Sequence, residues 1–163
     1  MNSDRQNPPL RYPFLRPEFL QALEDSQSAC EASGWKPIHL LLHCADGDGE
    51  VDQNSAFMPL YLKDHSMGEY VFDWAWANAF QDNGLDYYPK LVTSIPFTPS
   101  VGPRVRTDAL LTQQDCTQLV DEVLKVAEET GASSWHFLFP GAEHLKMFDD
   151  SRLLQRSGVQ YHW

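Results

Sequence analysis

Two carboxylates stand within a dense run of aromatic residues, and they are the side chains of this sequence best suited to proton transfer. Glu69 and Asp73 lie four positions apart. Their aromatic neighbours are Tyr70, Phe72, Trp74 and Trp76. A carboxylate that aromatic rings partly shield from water has a raised pKa, which suits it to deprotonate an amine. We therefore name Glu69 and Asp73 as candidate catalytic residues, with His65 and Lys90 as further polar side chains of the same stretch.

A structural interpretation of these residues stays open beside the catalytic one. Asp73 can cap the N-terminus of a helix that begins directly after it. Lys90 can lay its aliphatic stem along apolar surface and keep its ammonium group in water, and Glu69 can simply be solvated. In that case these residues stabilise the fold and take no part in a reaction.

A short helix and a strand must position these side chains. Residues 68–73 are expected to lead in as an extended segment, and Asp73 then begins a helix in which Trp76 and Phe80 share one face. Residues 91–95 are rich in β-branched side chains and predict a strand. The large aromatic side chains of the unit are expected to be mostly buried, namely Trp74, Trp76, Tyr87 and Tyr88.

The rest of the chain alternates between helical and extended patterns. Helices are predicted over 17–24, 113–130 and 142–155, and strands over 38–44, 55–63, 134–139 and 159–163. Helices that separate strands, with strand pairs joined by short turns, indicate an α/β domain with a mixed sheet.

Two segments resemble metal-binding motifs, but their spacing or their residue types do not match those motifs. His39 and His43 share a predicted strand, where four residues span roughly 13 Å, too far for one ion. The acidic, glycine-containing segment 46–52 resembles a calcium loop, but Val51 stands at the position of the required glycine and Phe57 at that of the bidentate glutamate. A hairpin turn explains the segment equally well. The three cysteines lack metal-binding spacing, and no nucleophile elbow occurs. We therefore predict no metal site and no hydrolase.

Length and charge narrow the class of protein further. The 163 residues fit a single domain, 1–163, with a flexible tail over 1–11. The formal charge of −11 disfavours nucleic acid and anionic membranes as partners. No apolar run reaches the roughly 18 to 20 residues of a membrane span, and the N-terminus lacks a signal-peptide core. A cytoplasmic protein with reduced thiols is expected.

Three segments, GEYVFDWAWANAF, GLDYYPKL and PFTPSVGPR, occur in this order at close spacing. With them, the chain resembles the N-terminal part of a bacterial family of peptidoglycan biosynthesis or recognition proteins, related to FemAB aminoacyltransferases and to acetyltransferases of the GNAT fold. The resemblance covers almost the whole chain, from Pro13 to Trp163. It implies a GNAT-like, acyl-CoA N-acyltransferase-like fold, with a mixed, mostly antiparallel sheet flanked by helices. It also implies that a second GNAT-like half follows Trp163.

The resemblance implies transfer of an acyl or aminoacyl group to an amine. In that fold a turn before the long helix holds the acyl-CoA pyrophosphate, and its equivalent here is 98–104, with Gly102 and Arg104 as the cofactor-binding candidates. The turn has one glycine and two prolines, so a purely structural turn is the alternative. We expect no cofactor in this segment alone and an acyl-CoA or aminoacyl donor in a longer protein.

The rival hypothesis is a non-catalytic module that recognises a cell-wall precursor or peptide through its aromatic surface. The candidate substrate-binding residues are His65, Tyr70, Trp74, Tyr87, Tyr88, Lys90 and His136. A third interpretation is a structural half-domain whose aromatic residues build the core. If 159–163 is an unpaired edge strand, a homodimer through that strand is expected.

Overall fold

Short helices and strands alternate along the chain. The structure, a computed structural model, describes residues 12–45, 51–71, 73–107, 111–148 and 152–158, with only the backbone for 43–45 and 51–55. The helices are α1 (Pro17–Asp25), α2 (Trp74–Asp82), α3 (Gln113–Thr130) and α4 (Ala142–Met147). The strands are β1 (Lys36–Pro37), β2 (Leu40–Ala45), β3 (Val51–Met58), β4 (Tyr61–Lys63), β5 (Lys90–Thr93), β6 (Arg106–Thr107) and β7 (Trp135–Phe137). Single 3-10 turns occur at Pro13–Leu15 and Glu31–Ser33.

The strands form two open sheets. One has the order β1-β4-β5-β7 and the other the order β2-β3-β6. In the described ranges, four strand pairings are antiparallel, and β5 pairs with β7 in parallel. The mixed α/β class and the mostly antiparallel pairing are confirmed, whereas the expected single sheet is corrected to two.

Pro59 explains why there are two sheets. The sequence predicts one strand over 55–63, but the structure divides this run into β3 and β4 at Pro59 and Leu60. Proline has no N–H group to donate to a sheet, so the pairing of β3 ends there. Leu60 N instead donates to His39 Nδ1 at 3.1 Å, and Leu60 O accepts from Ile38 N at 2.9 Å. These two bonds hold the crossover between the two sheets.

The long helix α3 covers the main core. Its buried residues pack with residues from strands of both sheets, and the cluster consists of Leu42, Ala56, Met58, Leu60, Leu91, Val105, Cys116, Leu119, Val120, Val123 and Phe148. Thr112 and Asp115 form a reciprocal capping box at the start of the helix, and Gly131 ends it at φ +67°. The predicted bounds 113–130 are therefore confirmed. Among the described residues, no helix has both the length and the apolar character that crossing a membrane requires.

Some elements differ from their predictions. Residues 68–71 form a loop instead of an extended segment, because Gly68 at φ +80° and Tyr70 at φ +58° have a left-handed backbone, which interrupts a regular extended chain. Helix α4 ends at Met147 instead of continuing to residue 155, and 152–158 contains no helix. The predicted strand 159–163 and most of the acidic segment 46–52 lie outside the described residues.

Candidate functional site

A lysine and two carboxylates form an ion cluster inside the protein. Lys90, Glu69 and Asp73 have exposed fractions of 0%, 1% and 3%. Lys90 Nζ donates to Glu69 Oε2 at 2.9 Å and to Asp73 Oδ2 at 2.5 Å. We call these three residues the buried ion cluster. Ions that are removed from water in this way must be paired closely, because the desolvation of an unpaired charge costs several kcal/mol.

Three hydroxyl groups complete the cluster. Tyr87 donates to Asp73 Oδ2 at 2.7 Å, and Ser66 Oγ donates to the same oxygen at 2.9 Å. Ser66 Oγ also accepts from Lys90 Nζ at 2.7 Å and lies 2.8 Å from the Tyr88 hydroxyl. A hydroxyl has one proton and two lone pairs, so these three contacts saturate Ser66 and leave it no lone pair for nucleophilic attack.

The elements that carry these residues explain their positions. Lys90 is the first residue of β5, and Glu69 lies on the loop that precedes α2. The loop bends sharply at Gly68, where a Cβ atom would lie 2.7 Å from the Phe97 ring. Asp73 occupies the N-cap position of α2, but its side chain makes no capping hydrogen bond. The expectation that Asp73 caps the helix with its side chain is therefore wrong, because the carboxylate turns inward to Lys90.

A second buried lysine lies close to the cluster. Lys63 is fully buried, its Nζ lies 3.7 Å from the centroid of the Trp35 ring, and it donates to Met67 O at 3.1 Å. Burial lowers the pKa of Lys63 to about 8, although the charge of Glu69 opposes the shift. Burial likewise raises the pKa of Glu69, against the pull of Lys90. Burial also raises the pKa of Asp73, but hydrogen bonds from Lys90, Tyr87 and Ser66 outweigh it, and the net shift is downward.

The two carboxylates of the cluster, together with His136, are side chains of types that can bind a metal ion, but the ammonium group of Lys90 lies where the cation would be needed. One ligand atom each from Glu69, Asp73 and His136 lies within 4.8 Å of the others. Lys90 Nζ contacts both carboxylates directly, so a metal ion would have to displace an ammonium group that already neutralises them. Glu69 Oε1 and Asp73 Oδ1 are buried without a hydrogen-bond partner. The sequence predicts no metal site, and this set has no local signature in it, because His136 is far from the two carboxylates in the chain.

His136 lies at the edge of the cluster as a neutral side chain. It is half-buried, Nε2 lies 3.2 Å from Ser134 Oγ, and its ring is 6.1 Å from that of Tyr87. Burial, reinforced by the charge of Lys90, lowers its pKa to about 4.

This lowered pKa predicts a loss of stability in mild acid. Since the unfolded histidine takes up a proton near pH 6.5 and the folded one only near pH 4, stability falls as the pH drops through this window. A shift of this size, discounted for partial exposure, corresponds to about 2 kcal/mol. Urea unfolding at pH 7 and pH 4.5 measures it, and His136→Gln should lose less stability than the parent over the same interval. An equal loss in both proteins would contradict the assignment.

Aromatic side chains next to the cluster are exposed. Tyr87 is buried as predicted, but Trp74 and Trp76 on α2 have exposed fractions of 67% and 46%, so their expected burial is wrong. Tyr70, on the loop before α2, is also exposed. We call Tyr70, Trp74 and Trp76 the aromatic surface. Helix α2 has no fully buried residue, because it contacts the body mainly through Asp73, Ala77 and Phe80, which share one face.

The turn 98–104 gives both cofactor candidates a structural role. Arg104 is fully buried, and its guanidinium group donates to three backbone oxygens, those of Ser100, Pro103 and Leu138. Gly102 N donates to Phe139 O at 3.2 Å, and Gly102 O accepts from Gly141 N at 2.9 Å. Because Arg104 is fully buried and these N–H groups are used within the protein, they are not available to an acyl-CoA pyrophosphate in this arrangement. Their assignment to a cofactor stays a prediction that this geometry does not favour.

The remaining candidate histidines lie apart from the cluster. His65 Nδ1 accepts from Met67 N, and Nε2 lies 3.7 Å from Asp64 Oδ1. His39 Nε2 contacts Glu24 Oε1 at 3.0 Å, while the side chain of His43 is outside the described atoms. A cavity of about 330 Å³ lies between β2 and α3, and its lining contains no residue of the cluster. The residues that the structure brings together are thus Glu69, Asp73, Tyr87, Tyr88, Lys90 and His136, with Ser66 added.

Comparisons with known proteins identify one family. A FemAB-like family model, described as peptidoglycan biosynthesis/recognition, matches residues 4–163. No curated protein matches the chain. No solved structure matches it either. The match spans both the buried ion cluster and the aromatic surface.

Proposed function

The chain belongs to the FemAB-like family of peptidoglycan biosynthesis/recognition, and from this membership we propose that it recognises a peptidoglycan fragment through its aromatic surface. The observation that carries the proposal is the exposure of Trp74 and Trp76 on a helix that buries none of its residues fully. Large aromatic side chains at a protein surface are typical of binding sites, because a ligand that covers them removes much apolar area from water.

The buried ion cluster supports this function by holding the surface rigid. Asp73 fixes the start of α2, and Glu69 fixes the loop next to Tyr70, since both carboxylates bind Lys90. A platform that is ordered before the ligand arrives loses little conformational entropy on binding. The cluster is therefore assigned a positioning role.

The dimensions of the helix agree with an extended ligand. Trp74 and Trp76 are two positions apart, so they project on opposite sides of α2, whose diameter with side chains is about 10 to 12 Å. An extended five-residue peptide spans about 16 Å. A disaccharide with its stem peptide is thus long enough to contact both tryptophans.

Titration of the chain with a soluble disaccharide pentapeptide tests the proposal. Trp74→Ala and Trp76→Ala are each expected to weaken binding by about tenfold or more, the effect of a central aromatic contact. Trp74→Ala should keep the melting temperature of the parent, because it removes an exposed side chain. Trp76→Ala also removes the ring that Arg156 contacts, so it should lower the melting temperature slightly. Leu41→Ala, an exposed apolar residue on β2, is the control and should bind like the parent. Unchanged affinity in both tryptophan variants would contradict the proposal.

Transfer of an acyl or aminoacyl group to an amine, on a GNAT-like fold, is a second candidate. It is favoured by the unpartnered Glu69 Oε1 and by the raised pKa of Glu69, since a general base needs a free oxygen and affinity for a proton. Glu69 would accept the proton of the attacking amine, which requires the amine to reach a carboxylate that is buried in this state. Amine-dependent transfer that Glu69→Gln abolishes, with the fold intact, would favour this candidate over recognition alone.

A further inference from the structure

An arginine stacks on one tryptophan of the aromatic surface. Arg156 Cζ lies 4.2 Å from the centroid of the Trp76 ring, although the two residues are far apart in the chain. Arg156 is itself exposed. A stacked guanidinium group is held in place by the ring, while the N–H groups at its edge stay available as hydrogen-bond donors.

Arg156 lacks an acidic partner among the described residues, in a chain that is rich in acidic side chains. The chain has 23 acidic and 12 basic residues, so an exposed arginine has many possible acidic partners. Within the described ranges, however, no ion pair joins Arg156 to a carboxylate. Arg152, four residues earlier in the same segment, does bind Asp121 Oδ1, at 2.6 Å. In the part of the chain that the structure describes, Arg156 is thus oriented by an aromatic ring and not by a carboxylate.

The tryptophan beneath Arg156 still offers apolar area to a ligand. Trp76 keeps nearly half of its surface exposed despite the stacked arginine. An apolar surface and a cationic group therefore lie side by side at one end of the aromatic surface.

We propose that Arg156, stacked on Trp76, is a carboxylate-binding subsite, and that the ligand of the aromatic surface is a peptide stem with a free carboxylate. The inference rests on the proposed function and deepens it, because it selects the anionic peptide part of a peptidoglycan fragment over its neutral sugars. The planar guanidinium fork matches a carboxylate with two parallel hydrogen bonds. The exposed part of the Trp76 ring is then free to contact a small apolar side chain on the ligand residue that bears the carboxylate.

Calorimetric titration with paired probes tests the subsite. The probes are a disaccharide pentapeptide with free carboxylates and the same compound with its carboxylates amidated. The parent protein is expected to bind the amidated probe about tenfold or more weakly, since it loses a charge-assisted bidentate contact. Arg156→Gln should bind both probes alike, at the level of the parent with the amidated probe. Arg152→Gln is the matched control, and it should keep the preference of the parent for the free carboxylates.

The outcomes separate the subsite from the proposed function. If the parent binds both probes equally and Trp74→Ala weakens both, recognition by the aromatic surface stands and the carboxylate subsite is overturned. If neither probe binds, both proposals fail. If pyrophosphate displaces the free-carboxylate probe whereas acetyl-D-alanine at the same concentration does not, the anion is a phosphate and the carboxylate assignment is overturned.

Discussion

Replacement of Lys90 by methionine is expected to lower the free energy of unfolding by about 3 to 5 kcal/mol, the cost of removing one partner of a buried ion pair. The reason is that Glu69 and Asp73 would keep their burial and lose the cation that both contact at 2.9 and 2.5 Å. Urea unfolding at pH 7 measures the loss. Raising the acidity should reduce the difference from the parent, because protonation removes the charges that Lys90 no longer balances.

Two controls identify the cause of that loss. Lys125→Met removes an exposed lysine that pairs with Glu122 on α3, and it should leave stability unchanged. The triple variant Glu69→Gln, Asp73→Asn, Lys90→Met removes all three charges and should recover part of the stability. A Lys90→Met protein that unfolds within about 1 kcal/mol of the parent would show that the cluster is neither tightly paired nor dry.

Replacement of Arg104 by leucine is the second change with a large expected effect. The substitution removes the donors that now reach the backbone oxygens of Pro103 and Leu138 at 2.9 and 2.7 Å. The Ser100 oxygen loses Arg104 as well but keeps the Tyr12 hydroxyl at 3.2 Å. Each of the two partly buried acceptors that loses its donor costs about 1 to 3 kcal/mol, so the total should reach about 2 kcal/mol or more. Thermal and urea unfolding measure it, with Arg152→Leu, an exposed arginine, as the control. If the parent binds acyl-CoA and a stable Arg104→Leu protein does not, the result would instead support the cofactor role of the turn.

Local signals in the sequence were sufficient to predict the ends of some helices. Pro17 begins α1, and Gly131 ends α3 in the left-handed conformation that glycine adopts readily. These signals act within a few residues, so they are legible without the fold. The end of α4 had no such signal, and its predicted length was too great.

The two tryptophans of α2 show the limit of composition as a guide to burial. Aromatic residues are usually buried, and the dense aromatic run therefore predicted a core. Burial depends on whether another element covers a given side of the helix. In the described structure, Tyr87 packs against Phe80 with ring centroids 5.2 Å apart, while Trp74 and Trp76 flank the contact and stay exposed.

The sequence by itself determined the α/β class, the positions of α1, α2 and α3, the family and the stretch that holds the candidate site. It also placed Glu69, Asp73 and Lys90 among the residues to consider. Only the tertiary structure decided that Lys90 binds both carboxylates, that Ser66 joins them across 24 positions and that Arg156 lies on Trp76. The physical reason is that these contacts link residues whose separation in the chain carries no periodic or capping signal. Their partners are set by how β5, α2 and the segment 152–158 pack, which is a property of the whole fold.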